Sequence, residues 1–243
     1  MVKKKLRLPN ELIIFKNRDK ADHEHWGQSK KPTTKVLNFP APFIYVLLGK
    51  RNSGKTNIIM NVLLHQKPSF EKYFMWSQSP MSKEYEMIDD LQVFDTCPHL
   101  EDDLLEELQE NGKPFKSVLI VDDVNLETLN KEDYDRFSRI IKHGSSHYNI
   151  SLIITCHDLI QCPKICRRLA DIITLFKLQP ETIKIIGQKI GMPNEELFRM
   201  FEDNVKEYHD SLTIDMTQNS PMPFRKNLFE EIKPLVKYAG KLT

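Results

Sequence analysis

The sequence predicts an α/β protein whose mainly parallel central sheet is covered by helices on both faces. Three observations predict it. Short, nearly continuous apolar runs recur at 43–48, 117–124, 150–155 and 172–178, and unbroken runs of this length suit strands buried on two sides. Longer segments with helical spacing stand between them, and Gly or Pro marks the joints. Ligands of such sheets bind beyond the carboxyl ends of the strands.

The elements follow in order. Phe39-Pro40-Ala41-Pro42 closes a polar arm, and Phe43–Leu48 is the first strand. Lys55–Gln66 has the apolar spacing of a helix, and Lys72–Ser77 is the second strand. Residues 84–111 are acidic, with a helix expected in their second half from the stripe Leu104, Leu105 and Leu108. Ser117–Val124 is the third strand, followed by an amphipathic helix over Glu127–His143. Ile150–Thr155 is the fourth strand and Ile172–Leu178 the fifth, with a short helix inside Leu159–Ala170. Two helices are expected at Glu181–Ile190, ended by Gly191, and Glu195–Tyr208, capped by Asn194. An edge strand at Ser211–Met216 and a last helix at Leu228–Tyr238 complete the reading.

Composition narrows the class. The chain has 243 residues, 40% hydrophobic and 28% charged, which excludes a wholly disordered chain, a collagen-like fibre and a disulfide scaffold. No apolar run approaches the roughly 18 residues of a membrane span, so no membrane partner is expected. The Lys-rich start lacks an apolar core, so no secretory signal is expected. Cys97, Cys156, Cys162 and Cys166 are then expected as reduced intracellular thiols. Cys162 and Cys166 at helical spacing, with His157, are a nominal zinc set, but without a CxxC pair ordinary thiols are the expectation.

The net charge of +1 hides an asymmetry: residues 1–36 carry ten Lys/Arg against four Asp/Glu, so the rest is net acidic. Such an arm is drawn to polyphosphate or to an acidic protein surface, and a solvated tail is the competing reading. Leu12, Ile13, Ile14 and Phe15 suggest that part of it docks. The organisation expected is a basic arm over 1–38, a core over 39–226 and a C-terminal helix or tail over 227–243.

The chemistry concentrates at strand ends. Gly49, Lys50, Arg51, Asn52, Ser53, Gly54, Lys55 and Thr56 fit GxxxxGK[ST], with an apolar strand before and a helix after. Glycines let the loop turn its N–H groups inward on phosphates, and the helix start adds its positive end. Lys55 is expected to reach the β- and γ-phosphates and the Thr56 hydroxyl to bind Mg²⁺, with Asn57 beside them. The run Val118–Val121 ends in Asp122 and Asp123, the Walker B pattern, on a strand expected to lie beside that of the phosphate loop. Asp122 is placed to hold Mg²⁺, and Asp123 to orient or deprotonate an attacking water. The fourth strand ends in Thr155, Cys156 and His157, where Thr155 or His157 is a candidate contact to the γ-phosphate or the water. Arg136, Arg139, Arg167 and Arg168 are candidates for an arginine donated to a neighbouring subunit's site.

On these residues the chain resembles the genome-packaging ATPases of large DNA viruses, the poxvirus type with virophage and Polinton-like relatives, in the FtsK–HerA superfamily. The resemblance spans roughly Phe43 to Arg225 and rests on Gly49–Thr56, Val118–Asp123, the lead His147-Tyr148-Asn149-Ile150-Ser151, Arg167–Phe176 and Ser211–Asp215. It implies a three-layer P-loop NTPase fold of the RecA-like (ASCE) type, ATP and Mg²⁺ as cofactors, and ATP hydrolysis that drives double-stranded DNA into a preformed capsid. It further implies a homo-oligomeric ring of five or six subunits, capsid vertex proteins as partners, and a place at virus assembly sites in host cytoplasm or nucleus, or with the virion. Lys55, Asp123, His157, Arg139, Arg167 and Arg168 are its catalytic candidates. The family pattern has Gln where this chain has His157, and Arg where it has Ser146. Other readings are a plasmid-transfer or DNA-segregation motor of the same superfamily, a nucleotide-binding capsid-vertex or DNA-end protein without turnover, and a small-molecule kinase.

Overall fold

A computed structural model describes residues 36–78, 84–104, 108–110, 113–218 and 220–233. The basic stretch 1–35 and residues 234–243 lie outside the described residues. Its centre is a nine-stranded sheet. The strands are β1 (Ile44–Leu48), β2 (Lys72–Trp76), β3 (Leu91–Phe94), β6 (Ser117–Val121), β7 (Ile150–Cys156), β8 (Ile172–Leu175), β9 (Leu212–Asp215), β10 (Phe224–Lys226) and β11 (Glu230–Glu231), in the order β11-β10-β9-β8-β1-β7-β6-β2-β3. A separate hairpin pairs β4 (Gln109–Glu110) with β5 (Lys113–Pro114). Strands β8 through β3 are parallel, while β9, β10 and β11 add on antiparallel.

The strand alternation explains the two faces. Ile44, Val46, Leu48, Leu119, Val121, Leu152 and Ile154 point into one core, with Phe137, Ile183, Leu197 and Phe201. Tyr45, Leu47, Val118, Ile120 and Ile153 point into the other, with Ile59, Val62, Leu63 and Phe43. The first core belongs to helices α2 (Lys131–Arg139), α4 (Lys164–Leu169), α5 (Pro180–Ile190) and α6 (Asn194–Asn204), the second to α1 (Lys55–His65). Every side chain of β1, β6 and β7 is buried, as parallel strands between helical layers require.

Several expectations are corrected. The strand that leads into Asp122, β6, is not beside β1: β7 lies between them and pairs with both. The acidic stretch holds a 3₁₀ turn at Tyr85–Met87, strand β3 and a π-turn at Leu100–Leu104; Leu108 is helical, and the β4–β5 hairpin follows from Gln109. Residues 105–107 lie outside the described residues. Helix α2 starts four residues late because Asn130 caps it, its side chain accepting from Asp133 N at 2.8 Å. It runs on through a π-turn at Ile140–Gly144 into α3 (Ser145–Tyr148). Pro193, not Asn194, occupies the cap position of α6, whereas α5 does end at Gly191, whose φ is 68°. Strand β9 is covered by β10 and is no edge. No helix starts at Leu228: Asn227 and Leu228 have φ of 46° and 71°, which turns the chain back into β11.

Beyond β8 the added strands are fixed by a buried polar chain. Tyr45 Oη and Thr174 Oγ1 lie 2.6 Å apart, and Thr174 and Thr213 hydroxyls 2.7 Å. Asp215 pairs with Arg225 at 2.9 Å, both buried, and Arg225 stacks on Phe39. Every polar group in that chain has a partner, as burial demands.

Candidate functional site

Strand β1 runs straight into the glycine loop. Gly49 N donates to Cys156 O at 3.0 Å, so the loop leaves the sheet still attached to β7. A side chain on Gly49 would lie 2.8 Å from Phe176 Cβ, and Gly54 sits at φ 107° ahead of α1. Both positions therefore need glycine, one for space and one for conformation. Two loop carbonyls are engaged by residues of the cavity wall: Tyr208 Oη donates to Arg51 O at 2.7 Å, and His209 Nδ1 lies 3.2 Å from Ser53 O.

Lys55 is buried, and its ammonium donates to Gly49 O at 2.7 Å and Lys50 O at 3.1 Å. Burial lowers its pKa, opposed by the Asp122 and Asp123 carboxylates. Asp122 emerges from β6 buried. Its Oδ1 accepts from Thr155 at 2.7 Å and its Oδ2 from Tyr85 at 2.8 Å. Burial raises its pKa; the two hydroxyl bonds and Lys55 oppose the rise, and Asp123 adds to it. Burial thus outweighs the mutual attraction of Lys55 and Asp122 in both shifts. Asp123 is exposed at φ 53°, a left-handed turn that takes the chain off the strand, and its N–H donates to Thr155 Oγ1 at 3.4 Å.

These groups share one cavity of about 300 Å³, lined by Arg51, Asn52, Gly54, Lys55, Thr56 and Asn57 from the loop and α1. Asp122, Asp123 and His157 line it from the ends of β6 and β7, and Glu84, Tyr208 and His209 close it. Its size falls in the lower range of small-molecule pockets. A buried ammonium, the Thr56 hydroxyl and two carboxylates fit a phosphate chain with a hard divalent cation. Ser53 is buried within the loop, and Gly49 and Lys50 lie behind the wall, their carbonyls on Lys55.

The remaining candidates fall elsewhere. Thr155 does not line this cavity, since its hydroxyl is spent on Asp122; of the two fourth-strand candidates, His157 is the one that faces it. Arg139 pairs with Glu101 at 2.5 Å in a separate groove that Arg136 also lines. Arg167 and Arg168 sit on α4, and neither borders the cavity. Cys156, Cys162 and Cys166 pack together, buried, but no group of three or more His, Cys, Asp or Glu is arranged to hold a metal among the described residues. Glu84, Tyr85, Tyr208 and His209 belong to the site without any motif to announce them. Each comes from a segment distant in sequence, and only the folded sheet brings them to the loop.

No family model matches the chain, and no curated protein matches it in sequence. Solved structures do. B204, the DNA-packaging ATPase of Sulfolobus turreted icosahedral virus, superposes with a TM-score of 0.51 at 17% identity, over 79% of this chain and 99% of that one. The genome-packaging NTPase B204 of Sulfolobus turreted icosahedral virus 2, in complex with AMPPCP, gives 0.53 at 16% identity, over 79% and 98%. Its complex with ATP-γS gives 0.50 at 17%, over the same shares. The fold is thus the P-loop ATPase fold of these structures, as the sequence resemblance implies.

Proposed function

We propose that this chain is an ATP-driven motor that moves double-stranded DNA, and that its task is to package a viral genome into a preformed capsid. The observation that carries the reading is that Lys55, Thr56, Asp122 and Asp123 face one cavity at the carboxyl ends of β1 and β6, with β7 between. The fold shared with packaging ATPases supports the choice among P-loop enzymes.

In this reading the loop amides and Lys55 hold the phosphates, and Thr56 and Asp122 hold magnesium. Bound magnesium supplies charge neutralisation on the phosphate oxygens. Asp123 accepts the proton of the attacking water, and His157 donates to the γ-phosphate. Lys55 gives up its bonds to Gly49 and Lys50 carbonyls as it turns to phosphate. Arg139, Arg167 and Arg168 lie off their own chain's cavity, which suits a guanidinium offered to a neighbour in a ring of five or six subunits. DNA contacts are to phosphates and insensitive to sequence, with the basic arm over 1–38 on DNA or on capsid vertex proteins. The work is done at virus assembly sites in the host cell.

Phosphate release from ATP, with and without duplex DNA, tests the proposal. The motor reading predicts turnover that duplex DNA stimulates several-fold and that Lys55→Ala abolishes. Nucleotide binding without turnover, or a monomer at full speed whatever DNA is present, contradicts it.

A further inference from the structure

The two ends of the sheet are finished differently. At one end β11 has two residues, Glu230 and Glu231, both exposed charges that discourage a further strand. At the other end β3 has four uncharged residues, Leu91-Gln92-Val93-Phe94, and no strand lies on its far side among the described residues. Phe94 O accepts from Ser77 N at 3.1 Å, so Phe94 turns its backbone groups to β2. Alternation along the strand then turns the N–H and C=O of Leu91 and Val93 outward, and Val93 is 47% exposed. Both faces of the sheet reach this edge unfinished: Leu91 packs, half-buried, on the core shared with α1, and Phe94 on the opposite core.

Such an edge is completed by a short segment that is apolar on both faces. Leu12-Ile13-Ile14-Phe15 is one, equal in length to β3, in the basic stretch outside the described residues. The charges on either side are complementary. Residues 3–7 hold four Lys/Arg, and residues 16–20 hold three against one Asp. Asp89 and Asp90 precede β3 and Asp95 follows it, and residues 84–103 carry eight Asp/Glu and no Lys/Arg. The reach is sufficient within one chain. Leu37 is hydrogen-bonded to His65 and Lys67, and Lys67 stands five residues before the start of β2, a span of at most about 18 Å. Strand β3 lies one spacing of about 4.8 Å further on, whereas the twenty residues 16–35 extend to about 70 Å.

We propose that residues 12–15 add to β3 as an edge strand of the same chain, held by backbone bonds to Leu91 and Val93 and steered by the charge contrast. The proposal concerns the chain free of DNA and rests on no part of the ATPase reading.

Hydrogen exchange of the full chain, without nucleotide or DNA, tests it. The amides of residues 12–15 are expected to exchange at least about tenfold more slowly than in an unstructured peptide, equally at all protein concentrations. Val93→Pro removes an N–H that β2 does not use, so the sheet is kept while a docking bond is lost, and 12–15 should then exchange at the peptide rate. Ile14→Pro lies outside the described fold and should quicken exchange of the Val93 amide, which keeps the question answerable if Val93→Pro fails to fold. Unprotected 12–15 in wild type, protection that survives Val93→Pro in the folded protein, or a Val93 amide that Ile14→Pro leaves unchanged overturns the proposal. So does protection that is lost on dilution, which would give the edge to the arm of a second copy.

Discussion

Thr155 and Asp122 are joined by a 2.7 Å hydrogen bond across neighbouring parallel strands. The register of β6 on β7 pairs Val121 with Ile154, so the next residue of each strand falls side by side as the sheet ends. The hydroxyl orients the carboxylate, and the same oxygen accepts the Asp123 N–H at 3.4 Å. One threonine thus ties both acidic residues to the strand that separates them from β1 and its glycine loop.

Thr155→Val keeps the shape of the side chain and removes this donor. Asp122 Oδ1 is then buried without its hydroxyl partner, which costs about 1–3 kcal/mol. Chemical denaturation should show a loss of that size, and Thr155→Ser should recover most of it. An unchanged midpoint in the valine variant would contradict the role given to the hydroxyl.

Asp122 has its pKa raised by burial from 3.8. A raised carboxylate favours the protonated folded state, so its contribution is full below the unfolded pKa and is lost as pH rises through the folded one. Asp122→Asn does not ionise and escapes that loss. The stability of the variant relative to wild type should therefore increase from about pH 4 to neutrality, in metal-free buffer. A difference that is flat, or that falls with pH, argues against burial as the dominant influence.

Asp123 is exposed at the rim, while Asp122 is buried beneath it. The exposed carboxylate is the one free to meet water, so Asp123→Asn should leave AMPPCP affinity nearly unchanged and slow hydrolysis by about 10²- to 10⁴-fold. Equal losses of binding and turnover would assign Asp123 to holding the ligand instead.

Tyr208 reaches the loop from the far side of the sequence and donates to Arg51 O. Tyr208→Phe removes the bond that fixes the Arg51 carbonyl of the loop. Analogue affinity is expected to fall about threefold to tenfold with little change in melting temperature, because the ring is largely exposed. A large melting shift with unchanged affinity would show a structural role only.

Much of the fold was legible because its signals are local. The loop Gly49–Thr56 and the run Val118–Asp123 carry their strand, turn and chemistry in consecutive residues, and β7 and β8 are apolar enough to announce themselves. Strand order is not local: consecutive residues carry no sign that β7 separates β6 from β1. Strand β3 escaped notice because its residues are mostly half-exposed and its pattern is weak. The expected helix from Leu228 had good spacing, but the two left-handed residues Asn227 and Leu228 overrule spacing. Tyr85, Tyr208 and His209 were illegible for a different reason: each is an ordinary aromatic residue until the fold sets it against Asp122 or the loop carbonyls.

Calorimetric titration of AMPPCP in Mg²⁺ into wild type and Lys55→Ala tests the centre of the account. One saturable site per chain, weakened at least a hundredfold by the substitution, is the predicted result. Absence of binding to wild type, or an affinity that Lys55→Ala leaves untouched, would contradict the claim that this cavity grips a nucleoside triphosphate.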